Sequence, residues 1–161
     1  MTNIDNVVRW AGQVRYMEYE DSMKKIERFL RQGRLPITLI VNSQGGFIPI
    51  AYTFVKEVTM RRIPLNTLVI GRADSAAIPI LLTGKIRQME EEAHIYIHEL
   101  TFSKNENPIK RKNMRDWYIK NLSVKTKLST MEVEKMMAKG ALLNAEQAKH
   151  YGFVHEIIYC E

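Results

Sequence analysis

Residues 37–46 read Ile-Thr-Leu-Ile-Val-Asn-Ser-Gln-Gly-Gly. The first five are apolar on both faces, the pattern of a parallel strand covered on two sides. Asn42-Ser43-Gln44-Gly45-Gly46 breaks the run. Phe47 to Arg61 then reads as a helix, with Pro49 tolerable in its first turn. A buried strand that ends in a glycine turn and feeds a helix is the unit of a layered α/β fold.

The same unit recurs outward from this stretch. Upstream, Asn6 to Gly12 mixes β-branched and aromatic residues and predicts a short strand. Tyr19 to Arg31 places Met23, Ile26, Phe29 and Leu30 three or four apart, predicting an amphipathic helix closed by Gly33 and Pro36. Downstream, Thr67-Leu68-Val69-Ile70 predicts a second buried strand stopped by Gly71, and Ser75 to Thr83 a buried helix. Ile95-Tyr96-Ile97-His98 predicts a strand ending near Leu100. This alternation argues for parallel strands.

The chain then changes character. Thr101 to Pro108 reads as a loop, and Ile109 to Lys127 as a long, basic, loosely amphipathic helix. Ser129 with Glu132, and Asn144 with Gln147, form capping boxes. The first opens a helix to about Ala138, the second a helix ended by Gly152; Phe153 to Tyr159 reads as a closing strand.

Length and composition narrow the class. The 161 residues suit one domain with a real core, and 45% hydrophobic with 26% charged residues excludes disorder. No apolar run approaches the roughly 20 residues of a membrane-spanning helix. Met1 to Asp5 is polar and acidic, unlike a secretory signal. The single cysteine, Cys160, excludes a disulfide framework and a cysteine-based zinc site. A cytoplasmic protein is the expectation. The net charge of +6 permits a nucleic-acid partner without requiring one, and a solvated basic face is the simpler reading.

Four features have a plain structural reading and a chemical one. Gly45-Gly46 either closes a tight turn or exposes backbone amides to a ligand. Ser75, in Gly71-Arg72-Ala73-Asp74-Ser75-Ala76-Ala77, either caps a helix or presents a hydroxyl at a strand–helix junction. His98 either packs or serves as a base, since parallel strands present their C-terminal ends together. The segment from Leu142 to Val154 is by itself a capped helix feeding a strand. His94, His150 and His155 have no motif context.

In this order and spacing, over about residues 8–158, the four features resemble the Clp protease proteolytic subunit family of the crotonase-like superfamily. Asn42 to Gly46 is similar to its Asn-Ser-Pro-Gly-Gly turn, with Gln44 in place of proline, and Gly71 to Ala76 to its Gly-Gln-Ala-Ala-Ser-Met elbow. Ile97-His98-Glu99 is similar to its Met-Ile-His-Gln segment, and Asn144 to Val154 to its Ser-Ala-x-Glu-Ala-x-x-Tyr-Gly-Leu-Val ending. The resemblance implies an α/β spiral of strand–strand–helix units with a protruding helical handle. Residues 1–161 would be a single domain, with a head of about 1–100 and 139–161 and a handle of about 101–138. It also implies a serine endopeptidase without a cofactor. Ser75 would be the nucleophile and His98 the general base, with the backbone amides of Gly46 and Ala76 forming the oxyanion hole. Peptide or unfolded-protein substrates, a homo-oligomeric ring and an ATPase unfoldase partner follow from the same source.

The departures are specific. Gly140 stands where the family has its aspartate, and the nearby carboxylates are Glu132, Glu134 and Glu146, so the third triad member is left open. Asp74 replaces alanine directly before Ser75, either perturbing the nucleophile or pointing into solvent. The first strand begins so early that the family's axial-gate segment is expected to be missing. Three alternatives follow: a catalytically impaired ring subunit, crotonase-type chemistry on an acyl thioester, and a nucleic-acid binder using Lys104, Lys110, Arg111, Lys112 and Arg115 with Trp117 and Tyr118. No metal site is suggested, because the histidines lack ligand spacing.

Overall fold

The computed structural model describes residues 5–160. Met1 to Ile4, most of the polar N-terminal stretch, and Glu161 lie outside the described residues. The anticipated alternation opens the chain: β1 (Val7–Ala11), α1 (Tyr16–Arg31), β2 (Ile37–Ser43), α2 (Ile48–Met60), β3 (Leu65–Asp74) and α3 (Ala77–Leu81). Then come β4 (Arg87–Glu90), β5 (His94–Ile97), α4 (Pro108–Lys125), α5 (Thr130–Lys139), β6 (Ala141–Asn144), α6 (Ala145–His150) and β7 (Glu156–Ile158). The strands form one sheet, ordered β1-β2-β3-β4-β7 and all parallel along that path.

The long β3 organises the sheet. Thr67 to Val69 pair with β4, whereas Arg72 to Asp74 pair with β5, which in turn pairs antiparallel with β6. Gly71 does not stop this strand, contrary to the sequence reading; it lies where β3 changes partners. The strands β4 and β6 have no counterpart in the sequence reading. Each is four residues long, too short for its alternation to stand out. The helix α1 begins three residues earlier than its apolar spacing predicts, because Tyr16 and Met17 in its first turn are exposed.

Most apolar positions chosen by period are buried, Met23, Ile26 and Phe29 among them, while Leu30 and Trp117 are partly so. Leu39, Val41, Val69, Ile78, Ile80 and Leu81 belong to one buried cluster, where each fully buried aliphatic side chain contributes roughly 1.5–3 kcal/mol. Trp10 meets Phe54 edge-on, with ring centres 5.2 Å apart. The same cluster takes in Tyr118, Ile119 and Leu122 of α4 and Val133 and Met137 of α5. One face of the α4–α5 pair is therefore core, while Ile109, Val124 and Met131 remain exposed. Both capping boxes form as the sequence predicts, at Ser129/Glu132 and Asn144/Gln147.

Arg87 fastens the C-terminal segment to the sheet. It is buried without a carboxylate, and its guanidinium donates to the carbonyls of Phe153 (2.8 Å), Gly152 (2.9 Å) and Lys125 (3.0 Å). No helix among the described residues is long and apolar enough to cross a membrane.

Candidate active site

Ser75 sits between the end of β3 and the start of α3, at φ 51°. This left-handed conformation is uncommon for a residue with a Cβ and costs on the order of 1 kcal/mol. It is held on both sides: the Ser75 amide donates to the Tyr96 carbonyl at 2.9 Å, and the Ser75 carbonyl accepts from Ile78 N at 3.0 Å and from the Tyr118 hydroxyl at 3.0 Å. The helix-cap reading of this serine does not hold. The residue at the cap of α3 is Ala76, and no side chain caps that helix.

The glycine turn packs directly against this elbow. A Cβ on Gly45 would lie 2.7 Å from the Asp74 carbonyl oxygen, 3.0 Å from Ser75 Cβ and 3.3 Å from the Ala76 amide nitrogen. Only glycine permits that approach at φ 92°. The turn is tied back through Val14, which donates to Gly45 O (2.9 Å) and accepts from Phe47 N (2.8 Å). Among the described residues, the amides of Gly46 and Ala76 donate to no protein acceptor. The nucleophile candidate and both oxyanion candidates are thus gathered at one point.

His98 lies two residues beyond Tyr96, the residue whose carbonyl holds Ser75. Its ring is half-buried, with its centre 5.1 Å from that of Tyr96. Among the described residues its ring makes one hydrogen bond, between Nδ1 and the Glu99 carbonyl at 2.7 Å, and none to Ser75 Oγ. A base and nucleophile without bound substrate often stand apart in this way and close on each other only in the complex.

Gly140 caps α5 in the left-handed conformation, at φ 71°. A Cβ there would come within 3.1 Å of the Tyr96 hydroxyl, so tyrosine occupies the space around the position expected to carry an acid. Glu132 and Glu146 serve elsewhere, in a capping box and on the Tyr159 hydroxyl. Asp74 points inward, not into solvent: it is buried, with His94 Nε2 at 3.4 Å and Arg72 Nε at 3.6 Å. Burial pushes its carboxyl above the usual range, and the nearby His94 and Arg72 oppose that push.

A cavity of about 180 Å³ opens beside Gly46, walled by Phe47, Ile48, Phe102 and Met114. A Glu106–Lys110 pair lines it as well (3.6 Å). A larger cavity, about 370 Å³, lies among α2, α3 and the end of α4 and touches none of the four site candidates. The basic stretch is largely engaged within the chain. Lys112 pairs with Asp116 (2.8 Å), Arg115 with Glu99 (2.8 Å), and Arg111 donates to the carbonyls of Ser103 and Lys104. Trp117 stacks edge-on against Tyr52, and Tyr118 is fully buried.

Sequence reasoning missed Tyr118, Tyr96 and the cavity walls as parts of the site. Tyr118 carried a signal as the polar-tipped member of an apolar helical stripe. Tyr96 and Phe102 carried none, since their roles depend on residues far along the chain.

A mainly parallel sheet thus carries a strained serine elbow packed against a glycine turn. The Clp protease family model matches residues 6–161, and the chain belongs to that family. It is 28% identical over 157 residues to the ATP-dependent Clp protease proteolytic subunit of Cyanophora paradoxa, covering 91% of this chain and 75% of that one. It is 27% identical over 133 residues to the ATP-dependent Clp protease proteolytic subunit 1 of Tropheryma whipplei, covering 76% of this chain and 64% of the relative, just under two thirds. A solved ClpP1 mutant from Listeria monocytogenes shares the fold with a TM-score of 0.88 at 23% identity, covering 97% of this chain and 92% of that one.

Proposed function

We propose that the chain is a serine-type endopeptidase that hydrolyses peptide bonds through an acyl-enzyme. The observation that carries this reading is Ser75 at φ 51°, wedged against the Gly45 backbone so that the amides of Gly46 and Ala76 are left without protein acceptors. Ser75 Oγ attacks the carbonyl carbon while His98 takes its proton. The carbonyl oxygen, now negative, accepts from the amides of Gly46 and Ala76, each such donor contributing roughly 3 kcal/mol. The C–N bond breaks, His98 returns the proton to the leaving amine, and water repeats the sequence on the ester. The cavity beside Gly46 would receive a substrate side chain next to the scissile bond.

The family supplies the wider setting of the proposal. The chain up to about residue 100 and from about 139 would form the head, about 101–138 the handle, and identical subunits would close into a ring that admits peptides or unfolded protein. The relatives are named as subunits of an ATP-dependent protease, which supports an ATPase unfoldase as partner. A cytoplasmic setting accords with one exposed free cysteine, Cys160. A fluorophosphonate probe should add mass at Ser75 of the assembled protein and not in Ser75→Ala. An unlabelled wild-type ring would remove the reading.

Gly140 favours a second reading, a catalytically impaired ring subunit with an assembly or regulatory role. Intact oligomers by native mass spectrometry without peptide hydrolysis would establish it. Turnover lost in His98→Ala would exclude it.

A further inference from the structure

The second ring nitrogen of His98 has a partner even though residue 140 carries no carboxylate. Nδ1 lies 2.7 Å from the Glu99 carbonyl oxygen. A carbonyl oxygen only accepts, so the hydrogen belongs to Nδ1 and, in the neutral ring, the lone pair to Nε2. That is the tautomer a general base needs toward a serine.

The peptide that offers this carbonyl is itself held. The Glu99 carboxylate accepts two hydrogen bonds from Arg115 of α4, Nε to Oε1 at 2.8 Å and Nη2 to Oε2 at 3.1 Å. This is the bidentate arrangement that fixes a carboxylate in orientation as well as position. Glu99 Oε1 also accepts from Leu100 N at 3.3 Å, and Arg115 Nη1 reaches Glu134 Oε2 of α5 at 3.9 Å. Arg115 holds the Glu99 carboxyl below its usual range, so the clasp stays charged through neutral pH. The Tyr96 ring lies 5.1 Å, centre to centre, from the imidazole, and its hydroxyl would stand 3.1 Å from a Cβ on Gly140.

We propose that the Glu99 main-chain carbonyl takes over the orienting place of the missing acid, and that Arg115 is a positioning residue acting on His98 through Glu99. The inference rests on the peptidase reading for its catalytic meaning, but the tautomer it requires exists or not independently of turnover. A neutral carbonyl orients the ring while giving an imidazolium less stabilisation than a carboxylate would. The base is therefore well aimed but weakly supported when it carries charge.

Two measurements on the full-length assembled protein test this. In protein labelled with 15N-histidine, long-range proton–nitrogen correlations should place the His98 proton on Nδ1 at pH 8, with His98→Gln supplying the assignment. A predominant Nε2–H form would overturn the proposal whether or not Ser75 reacts. The second readout is the rate of fluorophosphonate labelling of Ser75 against pH. Arg115→Ala should slow it roughly tenfold, shift its pH midpoint and mix the His98 tautomers, with partial rescue in Arg115→Lys. If wild type does not label, the peptidase reading fails and the tautomer measurement alone decides the proposal. If wild type labels and Arg115→Ala matches it in rate, midpoint and tautomer, the proposal fails and the peptidase reading stands. Glu99→Gln, which keeps the carbonyl and loses the charged clasp, should repeat the Arg115→Ala result. It supplies the same three readouts if Arg115→Ala does not fold.

Discussion

The two halves of the candidate site are built in opposite ways. The half around Ser75 is made of main chain: a strained residue, a glycine turn packed against it, a hydrogen bond from the Ser75 amide to the Tyr96 carbonyl, and bonds from Ile78 N and the Tyr118 hydroxyl to the Ser75 carbonyl. The half around His98 relies mainly on side chains, with one main-chain carbonyl holding the ring. Its ring is half-buried, one nitrogen is held by a neighbouring carbonyl, and a tyrosine lies near the place for an acid. Main-chain geometry tolerates almost no substitution, whereas side-chain geometry can be rebuilt from different residues. The departure at residue 140 falls beside the half that relies on side chains.

The most damaging test of this contrast is Gly45→Ala. Its Cβ would stand 2.7 Å from the Asp74 carbonyl at φ 92°, and backbone cannot swing aside as a side chain can. We expect a loss of about 3 kcal/mol, near 10 °C in melting temperature, read by calorimetry. A melting curve unchanged within error would mean the elbow is softer than drawn.

An intermediate effect should come from Gly140→Asp. Alone, it meets the Tyr96 hydroxyl and a left-handed backbone, costs about 1 kcal/mol, and does not accelerate labelling of Ser75. Combined with Tyr96→Ala, which empties that space, the carboxylate should gain access to the imidazole and raise the rate. The informative quantity is the non-additivity of the pair, measured by a double-mutant cycle. Purely additive effects would mean that the tyrosine does not stand between residue 140 and the ring.

The smallest effect concerns Asp74. Burial raises its carboxyl above the unfolded value, so the folded state holds its proton longer. The stability this contributes is complete below the ordinary carboxylate range and is lost as pH rises through the raised value. Asp74→Asn should therefore be more stable than wild type at pH 7, by up to about 1 kcal/mol, with the gain fading on acidification. Urea titrations at pH 7 and pH 3.5 read both arms. A variant less stable at pH 7 would show that His94 and Arg72 outweigh the cost of burial.

Most of the fold was legible because its strands are continuous apolar runs with glycine or proline at their ends. Ile37 to Val41 is such a run. The strand β4 was not, since it opens on Arg87, a residue whose burial makes sense only beside the carbonyls of Lys125, Gly152 and Phe153. The Ser75 half could be read in order along the chain, because a turn and an elbow are local motifs. The clasp of Glu99 by Arg115 could not, because it joins a strand end to the middle of a helix sixteen residues away. The inward position of Asp74 shows only in its contacts with His94 and Arg72, and spatial contacts leave no mark in composition.

Arg115 and Tyr118 are three residues apart on α4, so they lie on the same side of that helix. One reaches toward the imidazole through Glu99, and the other grips the Ser75 carbonyl. A single helical turn is thus a shared mount for the two candidate groups, and a rigid shift of α4 would displace both together. Whatever seats against the outer side of that helix would hold a mechanical hand on the candidate site from a distance.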